Sequence, residues 1–282
     1  MVTTLMDKFR GRPAFVTGGA SGIGLAIGRE LARREMKVAL ADNDADTLKM
    51  ACSGLPGSVA IALDTTDASR WGPALDEAEA ELGPLAVLVV NAGVAGSQLP
   101  ITETSPAVWE WTRGINLDGT FLALHHGVPR LTRTGMPSHV IATASLAAMV
   151  VWERNGPYSA TKAAMVALCE TLRAELATTE VGVSVLLPSL VNTAILERNA
   201  ARAPTGVCTG ECDPELEGAM RAGLDPDIVA RMAADAIGTG AFWIFTHPET
   251  RELVRARAAE IDAALERAQA ALVGSFSPGK GG

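Results

Sequence analysis

The chain is poor in everything that would cross-link it, fix it to a membrane or hold it on a polynucleotide. It has only four cysteines in 282 residues, at Cys52, Cys169, Cys208 and Cys212, too few and too scattered for a disulfide scaffold. Cys208 and Cys212 alone lie close together, and no histidine or further cysteine completes a zinc set around them. All four are therefore read as reduced structural thiols, with no metal site. His125 and His126 are adjacent, so on a helix their side chains diverge and do not share an ion. No apolar run approaches the roughly 18 residues of a membrane span. Met1 to Arg12 carries Asp7, Lys8, Arg10 and Arg12 in place of the apolar core of a secretion signal, so a cytoplasmic protein with no membrane partner is expected. Lys and Arg number 24 against 32 Asp and Glu, a net charge of −8, and no basic run forms a stripe. That excludes an extended nucleic-acid interface and leaves a small molecule as the partner.

What the chain does have is apolar content, 48%, in short β-rich runs. They fall at Phe15-Val16, Val38 to Ala41, Val59 to Leu63, Leu85 to Val90, His139 to Ala142, Val183 to Leu187 and Phe242 to Phe245, with helix-length stretches between most of them. Near-continuous apolar strands are buried on both faces, and strand–helix alternation implies right-handed crossovers. The fold class is therefore α/β: a doubly wound, seven-stranded parallel sheet with helices on both faces. Residues 1–273 are read as one catalytic domain. Within it, residues 190–224 break the rhythm with Pro204, Gly206, Gly210 and Pro214, and a segment of this length is expected to be a substrate lid. Residues 248–273 form a long helix whose apolar positions, among them Leu253, Ile261 and Leu265, dock on the domain or a second subunit. Residues 274–282 are a disordered tail.

Thr17-Gly18-Gly19-Ala20-Ser21-Gly22-Ile23-Gly24 lies where the first strand runs into a helix. Glycines at these spacings let the backbone turn sharply and aim its N–H groups at a pyrophosphate from the positive end of the helix dipole. About twenty residues on, Asp42 closes the second strand. A carboxylate there accepts hydrogen bonds from ribose hydroxyls and repels a 2′-phosphate, so the expected cofactor is NAD.

Tyr158, the only tyrosine of the chain, precedes Lys162 by one helical turn, at the start of a helix announced by Gly156-Pro157. A phenol with an ordinary pKa of about 10 is a poor base at neutral pH. An ammonium ~5 Å away at an effective dielectric near ~20 favours the phenolate by about 3 kcal/mol before screening. Ser145, thirteen residues earlier and just past a strand, can share the same substrate oxygen.

Taken in order, the glycine loop, the strand-end Asp42, Asp64-Thr65 after the third strand, Asn91-Ala92-Gly93 after the fourth, Ser145 and Tyr158-x-x-x-Lys162 resemble the short-chain dehydrogenase/reductase family, over about Gly11 to Phe245. The resemblance implies a Rossmann fold and a catalytic tetrad. In it Tyr158 is the general acid/base, Ser145 orients the carbonyl or alkoxide, and Lys162 lowers the tyrosine pKa and holds the nicotinamide ribose. Asn116 anchors a water that links Lys162 to solvent. It also implies that Gly18, Ser21, Gly22, Ile23 and Gly24 cradle the cofactor. Asp64, followed by Thr65, touches the adenine; Asn91, Ala92 and Gly93 wall the adenosine ribose; Pro188, Val191 and Thr193 bind the carboxamide. Ser189 replaces the family's usual glycine, which puts that last loop's close approach in question.

Leu146, Trp152 and Val94 are the candidate substrate wall. Hydroxyls set in an apolar wall suit a bulky hydrophobic secondary alcohol or ketone, and the long final helix is similar to that of a subgroup including bacterial lignin-fragment Cα-dehydrogenases, which take aryl alcohols. The expected protein is an NAD-dependent alcohol dehydrogenase/ketone reductase, assembled as a homodimer or homotetramer. The alternatives are a reductase of carrier-bound 3-oxoacyl chains and a non-catalytic NAD-binding sensor.

Overall fold

In the computed structural model, which describes residues 5–211 and 213–275, the apolar runs form seven strands. They are β1 (Pro13–Thr17), β2 (Lys37–Asp42), β3 (Val59–Ala62), β4 (Val87–Val90), β5 (Ser138–Thr143), β6 (Val181–Leu187) and β7 (Trp243–Phe245). They pair in parallel in the order β3-β2-β1-β4-β5-β6-β7. Every residue of β1, β4 and β5 is buried, whereas the edge strands β3 and β7 are partly open. That is why the central strands read as unbroken apolar runs.

Side chains alternate across the sheet into two cores. From β1, Phe15 enters one core and Ala14 and Val16 the other. The first core is covered by α3 (Ala68–Leu82), α5 (Gly119–Arg133) and α6 (Gly156–Glu175) through Trp71, Leu124 and Met165. The second is covered by α1 (Gly22–Arg33), α2 (Ala45–Ser53) and α9 (Pro226–Thr239) through Ile27, Leu48 and Val229. The chain runs from β3 at one edge back to β4 beside β1. Strand order therefore reverses between β1 and β4, where the loops at their carboxyl ends part and open a crevice.

Helix α4 (Pro106–Arg113) passes into α5 through a single π-helical turn, Gly114–Asp118. Such an insertion rotates the residues it contains out of the regular ladder, a device common at functional sites. Here it turns Asn116 fully inward.

The expected lid between 190 and 224 contains α7 (Ile195–Arg202) and α8 (Pro214–Arg221). Its ends are tied together. Val191 forms an isolated parallel bridge with Leu224, and Asn192 N–H and Leu224 N–H donate to the carbonyls of Leu224 and Leu190, each at 2.9 Å. A side chain on Gly223 would fall 2.6 Å from the Leu190 carbonyl oxygen, so glycine is what lets the two ends meet. Cys212 lies outside the described residues, as does the part of the expected tail beyond Ser275.

The chain divides into two compact units, residues 1–246 and residues 247–282, where the sequence reading placed one unit through residue 273. The second unit is a short 3-10 turn, Pro248–Thr250, that runs into α10 (Arg251–Ser275), with an Arg255–Glu252 ion pair of 2.9 Å on its surface. Among the described residues no helix is long and apolar enough to cross a membrane.

Burial in the sheet has a titratable consequence. The His139 ring on β5 is almost inaccessible, and burial pushes its pKa down to about 4. Ser184 donates to the Ala241 carbonyl at 2.6 Å and so accepts from His139 Nε2–H at 2.7 Å, which fixes the tautomer of the neutral ring. The unfolded chain takes up this proton first as pH falls, so stability is retained above about pH 6.5 and lost on the way down to pH 4. The loss expected from this group is at most about 3 kcal/mol. Urea midpoints measured at pH 7 and at pH 4.5 check it, and a His139→Gln protein should lose less between the two.

Candidate active site

The crevice at the switch point has a volume of about 1780 Å³ and runs from Asp42 and the glycine loop, past Asn91 to Gly93, to Ser145, Tyr158 and Lys162. Its floor is built around the glycines. Gly18 has φ +60°, and a Cβ on it would sit 2.9 Å from the Ala92 Cα. On Gly24 a Cβ would lie 2.2 Å from the Gly18 carbonyl oxygen. The loop is held from both sides. Asp42 accepts from Ala20 N–H at 3.2 Å, and Gly19 N–H donates to the Ala41 carbonyl at 3.0 Å. Asn91 donates through Nδ2 to the carbonyls of Thr17 (3.1 Å) and Gly18 (3.3 Å), while Thr17 Oγ1 receives the N–H groups of Asn91 (2.9 Å) and Ala92 (3.1 Å). Asn91 and Ala92 thus fasten the glycine turn, a task that their separation in sequence does not advertise.

Asp64 is exposed and accepts from the N–H (2.9 Å) and hydroxyl (2.8 Å) of Thr66. Thr65 is buried beneath it and accepts from the Trp71 indole through its carbonyl at 3.0 Å. Ser21, Gly22 and Ile23 open onto the crevice at the start of α1. The Thr193 methyl faces Gly22, whose missing Cβ would be 3.4 Å from it. Pro188 and Val191 line the crevice nearby, with Val191 itself buried. The fit to a dinucleotide is set by these absent Cβ atoms: backbone N–H groups at the positive end of α1 face an open channel that ends at a carboxylate.

At the inner end, Ser145 starts the 3-10 turn Leu146–Ala148. Its hydroxyl accepts from Ala147 N–H at 3.1 Å and reaches the Pro188 carbonyl at 3.4 Å. It also hydrogen-bonds the Tyr158 phenol. Lys162 is buried and donates to the Thr143 carbonyl at 2.7 Å, with its Nζ 5.7 Å from the centre of the Tyr158 ring. Gly93 makes room for Asn116: a Cβ there would come within 3.2 Å of Asn116 Oδ1, and would touch Nζ of Lys162 at an ordinary 3.5 Å.

The surroundings of the implied tetrad members are specific. Tyr158 lies above its ordinary pKa because burial raises it, opposed by the hydrogen bond from Ser145. Lys162 points into the Thr143 carbonyl and is itself pushed down to about 8 by burial. Asn116 spends its side chain on protein: Oδ1 accepts from Val94 N–H (2.8 Å), and Nδ2 donates to the Val94 carbonyl (2.9 Å) and to Thr161 Oγ1 (3.2 Å). Its main-chain carbonyl accepts from Thr120 Oγ1 at 2.7 Å and has a second lone pair that a water can use.

Of the substrate-wall candidates, Leu146 and Val94 line the crevice from buried positions, while Trp152 stands 46% exposed at its rim. The sequence reading expected a lid here but singled out none of its contact residues. Asn199 of α7 accepts from Gly96 N–H (3.1 Å) and donates to its carbonyl (2.7 Å), and Gln98 N–H donates to Thr209 (2.9 Å). These bonds close the lid onto the loop after β4. Arg198 and Arg202 then face the crevice from α7, and their spacing of four residues on one helical face was the available signal.

A phosphate-ready glycine turn, a strand-end carboxylate and a phenol beside a lysine in one crevice define a dinucleotide-dependent oxidoreductase. The sequence profile described as short chain dehydrogenase matches residues 12–203, and the chain belongs to that family. It is similar to the C alpha-dehydrogenase of Sphingobium sp. SYK-6, 31% identical over 256 residues that span 88% of this chain and 84% of that one. It is 31% identical over 164 residues to an NADP-dependent (R)-specific alcohol dehydrogenase of Lentilactobacillus kefiri, spanning 57% of this chain and 65% of that one. Among solved structures, a short-chain dehydrogenase/reductase from Burkholderia phymatum in complex with NAD superposes with a TM-score of 0.84 at 30% identity, covering 91% of this chain and 96% of that chain.

Proposed function

We propose that the enzyme interconverts a bulky hydrophobic secondary alcohol and its ketone with NAD(H), using Tyr158 as the general acid/base. The observation that carries this reading is the convergence of Ser145, Tyr158 and Lys162 at the inner end of a crevice whose outer end is Asp42. When bound there, the nicotinamide takes or returns the hydride and, oxidised, adds a positive charge that favours the phenolate.

The chain's residues do the rest. Ser145 and Tyr158 present two hydroxyls to one substrate oxygen; Tyr158 removes the hydroxyl proton during oxidation and returns it during reduction. Lys162, turned toward Thr143, is placed to hold the nicotinamide ribose, and its own proton is available near pH 8. Leu146 and Val94 form the apolar wall of the substrate end, with Trp152 at its rim and the lid over it. This apolar wall supports a bulky, uncharged substrate over a small polyol.

Asp42 supports NAD over NADP. Its buried carboxylate already has two N–H donors, from Ala20 and Asp44, each at 3.2 Å. The ribose diol suits what acceptor capacity remains, and a second anion does not. The test is kcat/KM with NAD and with NADP over secondary alcohols of graded size. The reading expects at least a tenfold preference for NAD and a rise in kcat/KM from small aliphatic to aryl carbinols. Equal use of NADP, or a preference for the smallest alcohols, overturns the corresponding half of it.

A further inference from the structure

Helix α7 lies along the crevice from the Thr193 segment, which abuts Gly22, to Arg202, whose Nη2 stands 3.7 Å from Asp42 Oδ1. It therefore spans the distance from the glycine turn to the strand-end carboxylate. Asn199 fixes one face of the helix to Gly96 by two hydrogen bonds, and this leaves Arg198 and Arg202 on a face that lines the crevice. Arg198 Nη1 and Arg202 Nη2 are both inaccessible to solvent and neither has a hydrogen-bond partner. Their charges are felt at the crevice mouth. The Asp44 carboxyl is held below its usual value first by hydrogen bonds from Thr47, and further by Arg202 and Arg198.

A guanidinium carries five N–H donors, and burying one of them unpaired costs free energy that a bound anion recovers. Asp42 does not satisfy this pair. At 3.7 Å it is an ion-pair neighbour of Arg202 without a hydrogen bond, and its two short contacts go to backbone N–H groups. The anion that fits must reach both arginines from within the crevice that they and the glycine turn line.

We infer that Arg198 and Arg202 bind the diphosphate of the dinucleotide from the lid side, opposite the glycine turn, so that the helix closing the substrate site is itself held down by the cofactor. The inference rests on the reading that this crevice takes a dinucleotide. Phosphate chemistry at this place has a second source, the 2′-phosphate of NADP, but the Asp42 carboxylate beside Arg202 disfavours it.

The test measures binding, by calorimetry, of ADP-ribose, 2′-phospho-ADP-ribose and adenosine to the full chain and to its Arg198→Gln, Arg202→Gln and doubly substituted forms. Far-ultraviolet dichroism and melting temperature confirm that each form is folded. The expected result is a ten- to hundredfold weaker Kd for ADP-ribose in the double variant, an adenosine Kd within twofold of the original, and a shallower dependence on salt. Hydrogen exchange across residues 195–202 should slow on adding ADP-ribose to the unsubstituted protein and not to the double variant. Unchanged ADP-ribose affinity in the variants, or a loss confined to 2′-phospho-ADP-ribose, overturns the inference and leaves the dinucleotide reading intact. No binding of ADP-ribose by the unsubstituted protein overturns both.

Discussion

Replacing Tyr158 with Phe is expected to lower kcat for alcohol oxidation by 10²–10⁴-fold, the range for removing a positioned acid/base, while the Kd for NADH stays within twofold. The phenol ring packs on the Lys162 side chain and the substitution keeps the ring, so the effect falls on proton transfer rather than on the fold. The pH profile gives a second readout. Burial holds Tyr158 above its ordinary value. Oxidation needs the phenolate, so its rate climbs with pH up to the phenol's pKa; reduction needs the phenol and stays level until that pH is reached. The Phe protein should have neither dependence. A Tyr158→Phe enzyme with undiminished kcat removes the proposed acid/base.

The other large effect is expected at Gly24. A Cβ there meets the Gly18 carbonyl oxygen at 2.2 Å and Asn91 Nδ2 at 2.4 Å, and the first of these is backbone that cannot swing away. Gly24→Ala must open the turn, break the Asn91 clamp, or both. NADH affinity is expected to fall by at least a hundredfold, with a melting temperature lower by several degrees. Gly218→Ala is the comparison. That position lies on the exposed side of α8 with nothing within 4 Å of a new Cβ, so it should stabilise by about 0.5–1 kcal/mol. Fluorescence titration with NADH and thermal melts of the two variants check both statements. A Gly24→Ala protein that binds NADH as tightly as the unsubstituted chain contradicts the geometry assigned to the loop.

The fold and the ends of the crevice were legible because each is written in local chemistry. Strands such as Val87–Val90 are apolar on both faces and short, and the glycine spacing, Asp42 and the Tyr158–Lys162 turn each sit within a few residues of a strand end or helix start. What was not legible depends on residues brought together from afar. The Asn91 clamp on Thr17 joins positions 74 apart. The lid closes through Asn199 and Gly96, which are 103 apart. No periodicity reports such a bond. The direction of the tyrosine shift was missed for a related reason. Spacing puts a cation near the phenol, but burial and the Thr143 carbonyl decide where that cation points and how firmly it keeps its proton. Cys169 shows the same influence of burial, which pushes its thiol up to about 12 and fits a packing role.

The central claim is that hydride passes between a secondary alcohol and a nicotinamide held in this crevice, with the proton handled by Tyr158. The most direct measurement uses a secondary aryl alcohol deuterated at the carbinol carbon, incubated with NAD and the enzyme, and follows the label by mass spectrometry. The account requires deuterium on the reduced nicotinamide, ketone in equal amount, and loss of both in the Tyr158→Phe protein. Tight NAD binding with no label transferred from any alcohol in the graded series would contradict it, and would make the protein a nucleotide-binding sensor in place of an enzyme.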